Sequence, residues 1–165
     1  MSEGIIRHMY PGGNTPIGFF SYYPYIIDRK KAKRIYILKG GPGTGKSTLM
    51  RKVGLGLAKK GLNVEFMHCS SDNNSLDGVV IPDLGIAMVD GTAPHIVDPV
   101  YPGAVDEIIN LGQYWNEEGF EDSRQEIIAV NSKIKSHFAT AYRYLRAASA
   151  LQEDTESIYE EALDK

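Results

Sequence analysis

The chain has 165 residues, 42% of them hydrophobic and 24% charged. This is the size and balance of one ordinary globular domain, and it excludes disordered, collagen-like and disulfide-built classes. Eighteen Lys and Arg against 21 Asp and Glu leave a net charge of −3, so the chain has no general attraction for nucleic acid or an anionic membrane. The single cysteine, Cys69, cannot pair internally and fits a reducing compartment. No run approaches the roughly 18 apolar residues of a membrane span, and the start lacks the pattern of a signal peptide. Cytoplasmic location is expected, without nucleic-acid or membrane partners.

In chain order, the segment 10–25 is aromatic and turn-rich, with Tyr10, Phe19, Phe20, Tyr22, Tyr23 and Tyr25. These rings suit closing a sheet edge or covering a base. The cationic stretch Arg29–Arg34 reads as a solvated lead-in to the first strand. Arg34–Lys39 is β-branched and apolar and ends in glycines, which predicts a strand. Lys46–Lys60 predicts a helix, with Leu49, Val53, Leu57 and Ala58 on one side and Gly61 as its stop. Asn63–Cys69 and Leu84–Asp90 predict two further strands, with a short fourth possible over 95–97. Pro102 and Gly103 open a predicted helix over about 104–115, carrying Val105, Ile108, Ile109 and Leu111. Strands alternating with helices predict an α/β fold with a parallel sheet flanked by helices, over residues 1–119.

Residues 120–165 contain neither Gly nor Pro and predict a helical arm or hairpin. Ile127, Val130, Ile134, Phe138, Ala141, Leu145 and Ala148 recur at intervals of three or four, giving one apolar stripe. Asp154 and Thr155 are placed to cap a separate last helix from Glu156. The stripe needs cover, either from a folded-back helix or from self-association or another protein.

Gly40-Gly41-Pro42-Gly43-Thr44-Gly45-Lys46-Ser47 is a full match to G-x-x-x-x-G-K-[ST], directly between a predicted strand and a predicted helix. The glycines let successive N–H groups turn inward around a phosphate, and the helix start adds its positive end. In that pattern Lys46 bridges the β- and γ-phosphates and the Ser47 hydroxyl holds Mg²⁺, with Thr48 as a neighbouring hydroxyl. On these residues the chain resembles the P-loop NTPase superfamily. The resemblance also implies an acidic residue at the end of another strand, reaching the Mg²⁺ through water, for which Asp90 is the candidate; its rival role is to shape an Asp-Gly turn.

Gly91 follows Asp90 where hydrolases of the AAA+ type carry a glutamate that polarises water. Asp90-Gly91-Thr92-Ala93-Pro94 is instead reminiscent of small-molecule and nucleotide kinases. Thr92 and His95 are candidates for contact with the γ-phosphate or water. Ligands of open α/β sheets bind at the carboxyl ends of strands, which makes Asp72 and Asp77 candidates for a base, against a purely turn-forming role.

Gly13–Pro16, the phosphate loop, Leu76-Asp77-Gly78, Val89–His95 and Asp98–Gly103 together resemble the N-terminal module of a bacterial family of P-loop ATPase-like proteins with two modules in a longer chain. That resemblance implies nucleotide binding and nothing more specific. Three clear strands fall short of the roughly five of such domains, so the sheet reads as incomplete and the chain as a piece of a longer one, unless it completes its sheet by self-association. Three functions remain: a Mg²⁺-dependent, slow, partner-dependent ATPase; a kinase; and a non-catalytic nucleotide-binding module. No arginine lies between Arg51 and Arg124, leaving Lys46, Mg²⁺, Arg124, Arg143, Arg146 or a partner's residue to meet transition-state charge. The missing Asn-Lys-x-Asp guanine motif favours ATP.

Overall fold

The computed structural model describes residues 2–93 and 96–163. Two compact units divide them. One runs through Gly12 and then over Ser21–Trp115; the other joins Gly13–Phe20 to the segment from Asn116 onward.

The first unit is built on a six-stranded sheet. Its strands are β1 (Ile6–Met9), β4 (Arg34–Lys39), β5 (Val64–His68), β6 (Leu76–Ile81), β7 (Ile86–Asp90) and β8 (Asp106–Asn110), in the spatial order β1-β5-β6-β7-β4-β8. β2 (Gly12–Thr15) and β3 (Gly18–Ser21) form a separate two-stranded sheet. In the large sheet β6 alone runs against its neighbours. The expected parallel sheet is therefore a mixed one, mostly parallel, and it has six strands where three were clear from sequence.

The long connection from β4 to β5 carries helix α1 (Lys46–Ala58). Met50 and Ala58 of α1 pack with Leu38, Val64, Phe66, Leu76, Val79, Ile81 and Met88 in the larger core cluster. Gly54 lets the helix approach β5, because a Cβ there would meet the Phe66 ring and Val64. The opposite face is covered by Ile26, Ile27 and Ala32 of an irregular segment, against Ile35, Ile37, Val89 and neighbouring residues. Within this unit the expected flanking helices reduce to α1.

The helix expected over about 104–115 is instead β8 followed by a 3-10 turn, Leu111–Tyr114. Tertiary pairing with β4 overrides the helix-like opening, aided by β-branched Ile108 and Ile109. The buried Asp106 carboxylate fixes the turn before it, accepting from the Val100 and Tyr101 N–H groups at 2.9 and 2.7 Å and from Arg29 at 2.6 Å. The lead-in cations are thereby structural in part. The possible strand over 95–97 is not formed at Ile96 and Val97, and His95 lies outside the described residues.

In the second unit, a short helix α2 (Glu118–Glu121) precedes α3 (Arg124–Ala162), one uninterrupted helix of 39 residues. At 1.5 Å per residue it is about 58 Å long. Neither a hairpin nor a break at Asp154–Thr155 occurs. Thr155 Oγ1 donates to the Leu151 carbonyl at 2.9 Å within the continuing helix, so its hydroxyl is satisfied without a cap. On the same unit the Tyr142 hydroxyl donates to Asn14 Oδ1 at 2.8 Å.

Candidate functional site

With β6 the exception, the strands of the large sheet point their carboxyl ends the same way, so the loops after β4, β5, β7 and β8 gather at one edge. The loop 40–45 leaves β4 and enters α1 directly. Gly40, Gly43 and Gly45 hold φ of +150°, +81° and +86°, angles that side chains resist. Gly45 is the residue before the first turn of α1 and has no side-chain cap, which leaves the helix's first N–H groups for an outside acceptor. Pro42 is exposed. Thr44 Oγ1 donates back to the Gly41 carbonyl at 2.9 Å and tightens the loop.

Lys46 is the buried cation of this site, only 9% exposed. Its ammonium donates to the carbonyl of Gly40 and, at 3.0 Å, to that of Gly41. It also lies 3.5 Å from Asp90 Oδ2. The register explains that meeting: β4 and β7 are parallel neighbours with Leu38 opposite Asp90. Asp90 Oδ1 accepts from the Thr92 N–H at 2.8 Å. Thr92 in turn brackets Gly40, donating from Oγ1 to its carbonyl at 2.9 Å and accepting from its N–H at 3.3 Å. Gly91 serves close packing rather than a left-handed turn, since a Cβ there would collide with Ile37.

Ser47 Oγ accepts from the Leu76 N–H at 3.0 Å, tying α1 to the start of β6. Thr48, one residue on, is exposed. The structure thus brings the glycine-rich loop, Lys46, Asp90 and Thr92 into one contact network, with Ser47 on the adjoining turn.

Asp72 is placed differently. Its carboxylate accepts from the Asn74 N–H at 3.0 Å and from Ser75 Oγ at 2.6 Å, shaping the turn after β5. The Ser75 hydroxyl, then the Asn74 N–H, hold its pKa below the ordinary carboxylate value. Asp77 instead is buried on β6 and accepts a hydrogen bond from the Tyr23 hydroxyl. Desolvation first, then Asp77, then the charges of Cys69 and Asp90, push the Tyr23 pKa well above its usual value. Burial likewise raises the Cys69 thiol, with Asp77 adding to the shift. Ser70 Oγ is buried without a hydrogen-bond partner.

Sequence reasoning passed over two contributors. Lys39, at the end of β4, gathers the loop beyond Asp90, donating to the carbonyls of Gly91 and Val97 at 2.8 and 2.9 Å and to Asp98 at 3.0 Å. Trp115, after β8, lies over the glycine-rich loop, where a Cβ on Gly41 would come within 2.8 Å of its ring. Its signal was faint: a lone tryptophan following what reads as a helix.

Among the described residues, no group of three or more His, Cys, Asp and Glu side chains could hold a metal by itself, and no helix is long and apolar enough to cross a membrane. Comparison with protein-family models, with curated proteins and with solved structures gives no match.

Proposed function

We propose that this chain binds Mg·ATP at residues 40–47 and is a slow, partner-dependent ATPase. The observation that carries the reading is Lys46: a nearly buried ammonium held over a glycine-rich loop by two loop carbonyls and Asp90. A cation anchored there, beside the uncapped start of α1, is complementary to a polyphosphate. Lys46 would exchange its loop carbonyls for β- and γ-phosphate oxygens. The α1 N–H groups and the loop backbone would orient the same phosphates.

The donor set suits magnesium. Ser47 offers a hydroxyl and Asp90 a carboxylate, and Mg²⁺ characteristically takes one or two protein oxygens together with phosphate oxygens and waters. When bound, it neutralises charge that develops on the β- and γ-phosphate oxygens. Thr92 keeps the mouth of the loop closed around Gly40, and Lys39 holds the following segment. Gly91 leaves the position after Asp90 without the glutamate of AAA+ hydrolases, and no arginine lies between Arg51 and Arg124, which supports slow turnover that depends on a partner. Transition-state charge would be met by Lys46, Mg²⁺ or a partner's residue. The apolar stripe of α3 supports pairing with a second copy.

The test is ATP turnover by the whole chain with product analysis. ADP and free phosphate without an acceptor support the ATPase. ADP formed only with an acceptor replaces it with a kinase. An absence of Mg·ATP binding refutes the site itself.

A further inference from the structure

β6 carries one ionisable side chain in a strand that is otherwise apolar or glycine. All six of its residues are buried, and Asp77 is 7% exposed. Burying a carboxylate is costly unless charge or strong hydrogen bonds compensate it. Among the described residues no cation forms an ion pair with Asp77. Its neighbours are the Tyr23 hydroxyl, which donates to Oδ2, and the Cys69 thiol. A carboxylate has about four acceptor positions, so those two neighbours leave it with capacity for another donor.

Its position gives that capacity a use. Leu76, the residue before it, contacts Ser47 Oγ through its N–H at 3.0 Å. Gly78, the residue after it, pairs with Val89 on antiparallel β7. Asp77 and Asp90 therefore occupy the next positions outward at the same end of neighbouring strands. The Tyr23 hydroxyl is within electrostatic reach of both carboxylates. A buried carboxylate left without a cation, opposite Asp90 at the ends of neighbouring strands, is a candidate for chemistry as well as for structure.

We propose that Asp77 is the catalytic residue that orients the attacking water and accepts its proton, with Tyr23 as its positioning residue. This rests on the ATPase reading above. The water oxygen forms a bond to the γ-phosphorus, and one water proton passes to the Asp77 carboxylate. The bond from the γ-phosphorus to the bridging oxygen breaks, and its electron pair leaves on ADP. Asp77 then returns its proton to solvent, so that ATP and water become ADP, phosphate and a proton. Tyr23 holds Oδ2 and so fixes which oxygen faces the water.

The rival role for Asp77 is to fasten the 3-10 turn at Tyr23–Tyr25 to the sheet. Two measurements on the full chain separate the roles: Kd for a non-hydrolysable Mg·ATP analogue, and kcat for phosphate release. Asp77→Asn should lower kcat at least about 100-fold, the range for loss of a general base, with Kd changed less than about two-fold. Tyr23→Phe keeps the ring and the carboxylate and should lower kcat several-fold at unchanged Kd. Wild-type kcat in Asp77→Asn, or parallel losses of kcat, binding and folding in both variants, would overturn the proposal. Should Asp77→Asn fail to fold, an unchanged kcat in Tyr23→Phe overturns it alone. Wild type that binds the analogue but never turns over ATP removes the reaction and Asp77's role together, leaving the nucleotide site standing. Wild type that does not bind refutes the nucleotide site instead.

Discussion

Replacing Lys46 with alanine tests the proposed nucleotide site most directly, because the proposal adds a second role to the one the structure shows for that side chain. Without nucleotide, its ammonium satisfies the Gly40 and Gly41 carbonyls and faces Asp90 at 3.5 Å. Hydrogen bonds to a charged group are worth about 1.5–3 kcal/mol; the loop carbonyls can regain water, so the ligand-free loss should fall near the low end, about 1–2 kcal/mol. With nucleotide, the same ammonium should contact phosphate. Losing about 2 kcal/mol of that contact weakens binding about 30-fold. For wild type, Mg·ATP at 100 times Kd stabilises the fold by about 2.7 kcal/mol; at the same concentration the variant sits near three times its own Kd and gains only about 0.9 kcal/mol. At roughly 2–4 °C per kcal/mol for a chain of this size, a wild-type rise of about 5–10 °C should shrink to about 2–4 °C. Differential scanning fluorimetry, each protein compared with its own ligand-free melt, reads the two roles separately. Equal nucleotide-dependent shifts in the two proteins would refute the phosphate contact, however much the variant's baseline had moved.

Asp90→Asn should leave the ligand-free melting temperature nearly unchanged, because an amide oxygen can still accept from the Thr92 N–H. It should weaken the Mg²⁺ dependence of turnover, and full Mg²⁺-dependent turnover in a magnesium titration would transfer the role to another carboxylate. Tyr23 supplies a prediction in pH. Its folded-state pKa is raised from an ordinary value of 10.0, so its contribution is intact below pH 10 and is lost as pH rises beyond it. Denaturant unfolding of wild type against Tyr23→Phe should give a constant difference up to about pH 10. Above that the difference should shrink by at most about 1.4 kcal/mol per pH unit, and by less because the ring is only half-buried. Parallel curves through pH 11 would show that Tyr23 titrates as in the unfolded chain.

The sequence was most readable where local chemistry and tertiary structure agree. Between Arg34 and Ala58 the apolar β-branched run, the glycines and the helical periodicity all describe the same strand, loop and helix. β6 was hidden because Asp77 and Gly78, both poor strand formers, interrupt its apolar run. β8 was hidden because Val105, Ile108 and Ile109 fit a helical face as well as a strand; only pairing with β4 decides between them. β1 is four residues long and gains its conformation from parallel pairing with β5, a contact with no local signature. Asp90 was legible from its strand end, but the Thr92 bracket around Gly40 joins residues 52 positions apart. The uninterrupted course of α3 past Asp154 shows the limit of cap residues as signals: the same side chains sit mid-helix when flanking residues favour continuation.

The charges of α3 point to what covers its stripe. Up to Arg146 the helix carries Arg124, Lys133, Lys135, Arg143 and Arg146 against Glu126 alone; beyond it come Glu153, Asp154, Glu156, Glu160 and Glu161 with no cation. This polarity opposes the helix dipole, which favours acids at the start and cations at the end. It becomes favourable when a second α3 runs antiparallel, each basic half beside an acidic half. Ile127, Val130, Ile134 and Phe138 remain 39%, 49%, 46% and 38% exposed, so the seam has apolar surface left to bury, and a helix this long gains its stability chiefly by such burial. Light scattering should therefore find a dimer, and Phe138→Glu should shift it toward monomer. Direction is tested by Glu153→Lys with Glu160→Lys. In an antiparallel pair these place lysines beside the partner's basic half and weaken the dimer; in a parallel pair they relieve contact between acidic halves and strengthen it. A monomer across the accessible concentration range, or a double variant that associates more tightly, would refute the antiparallel pair.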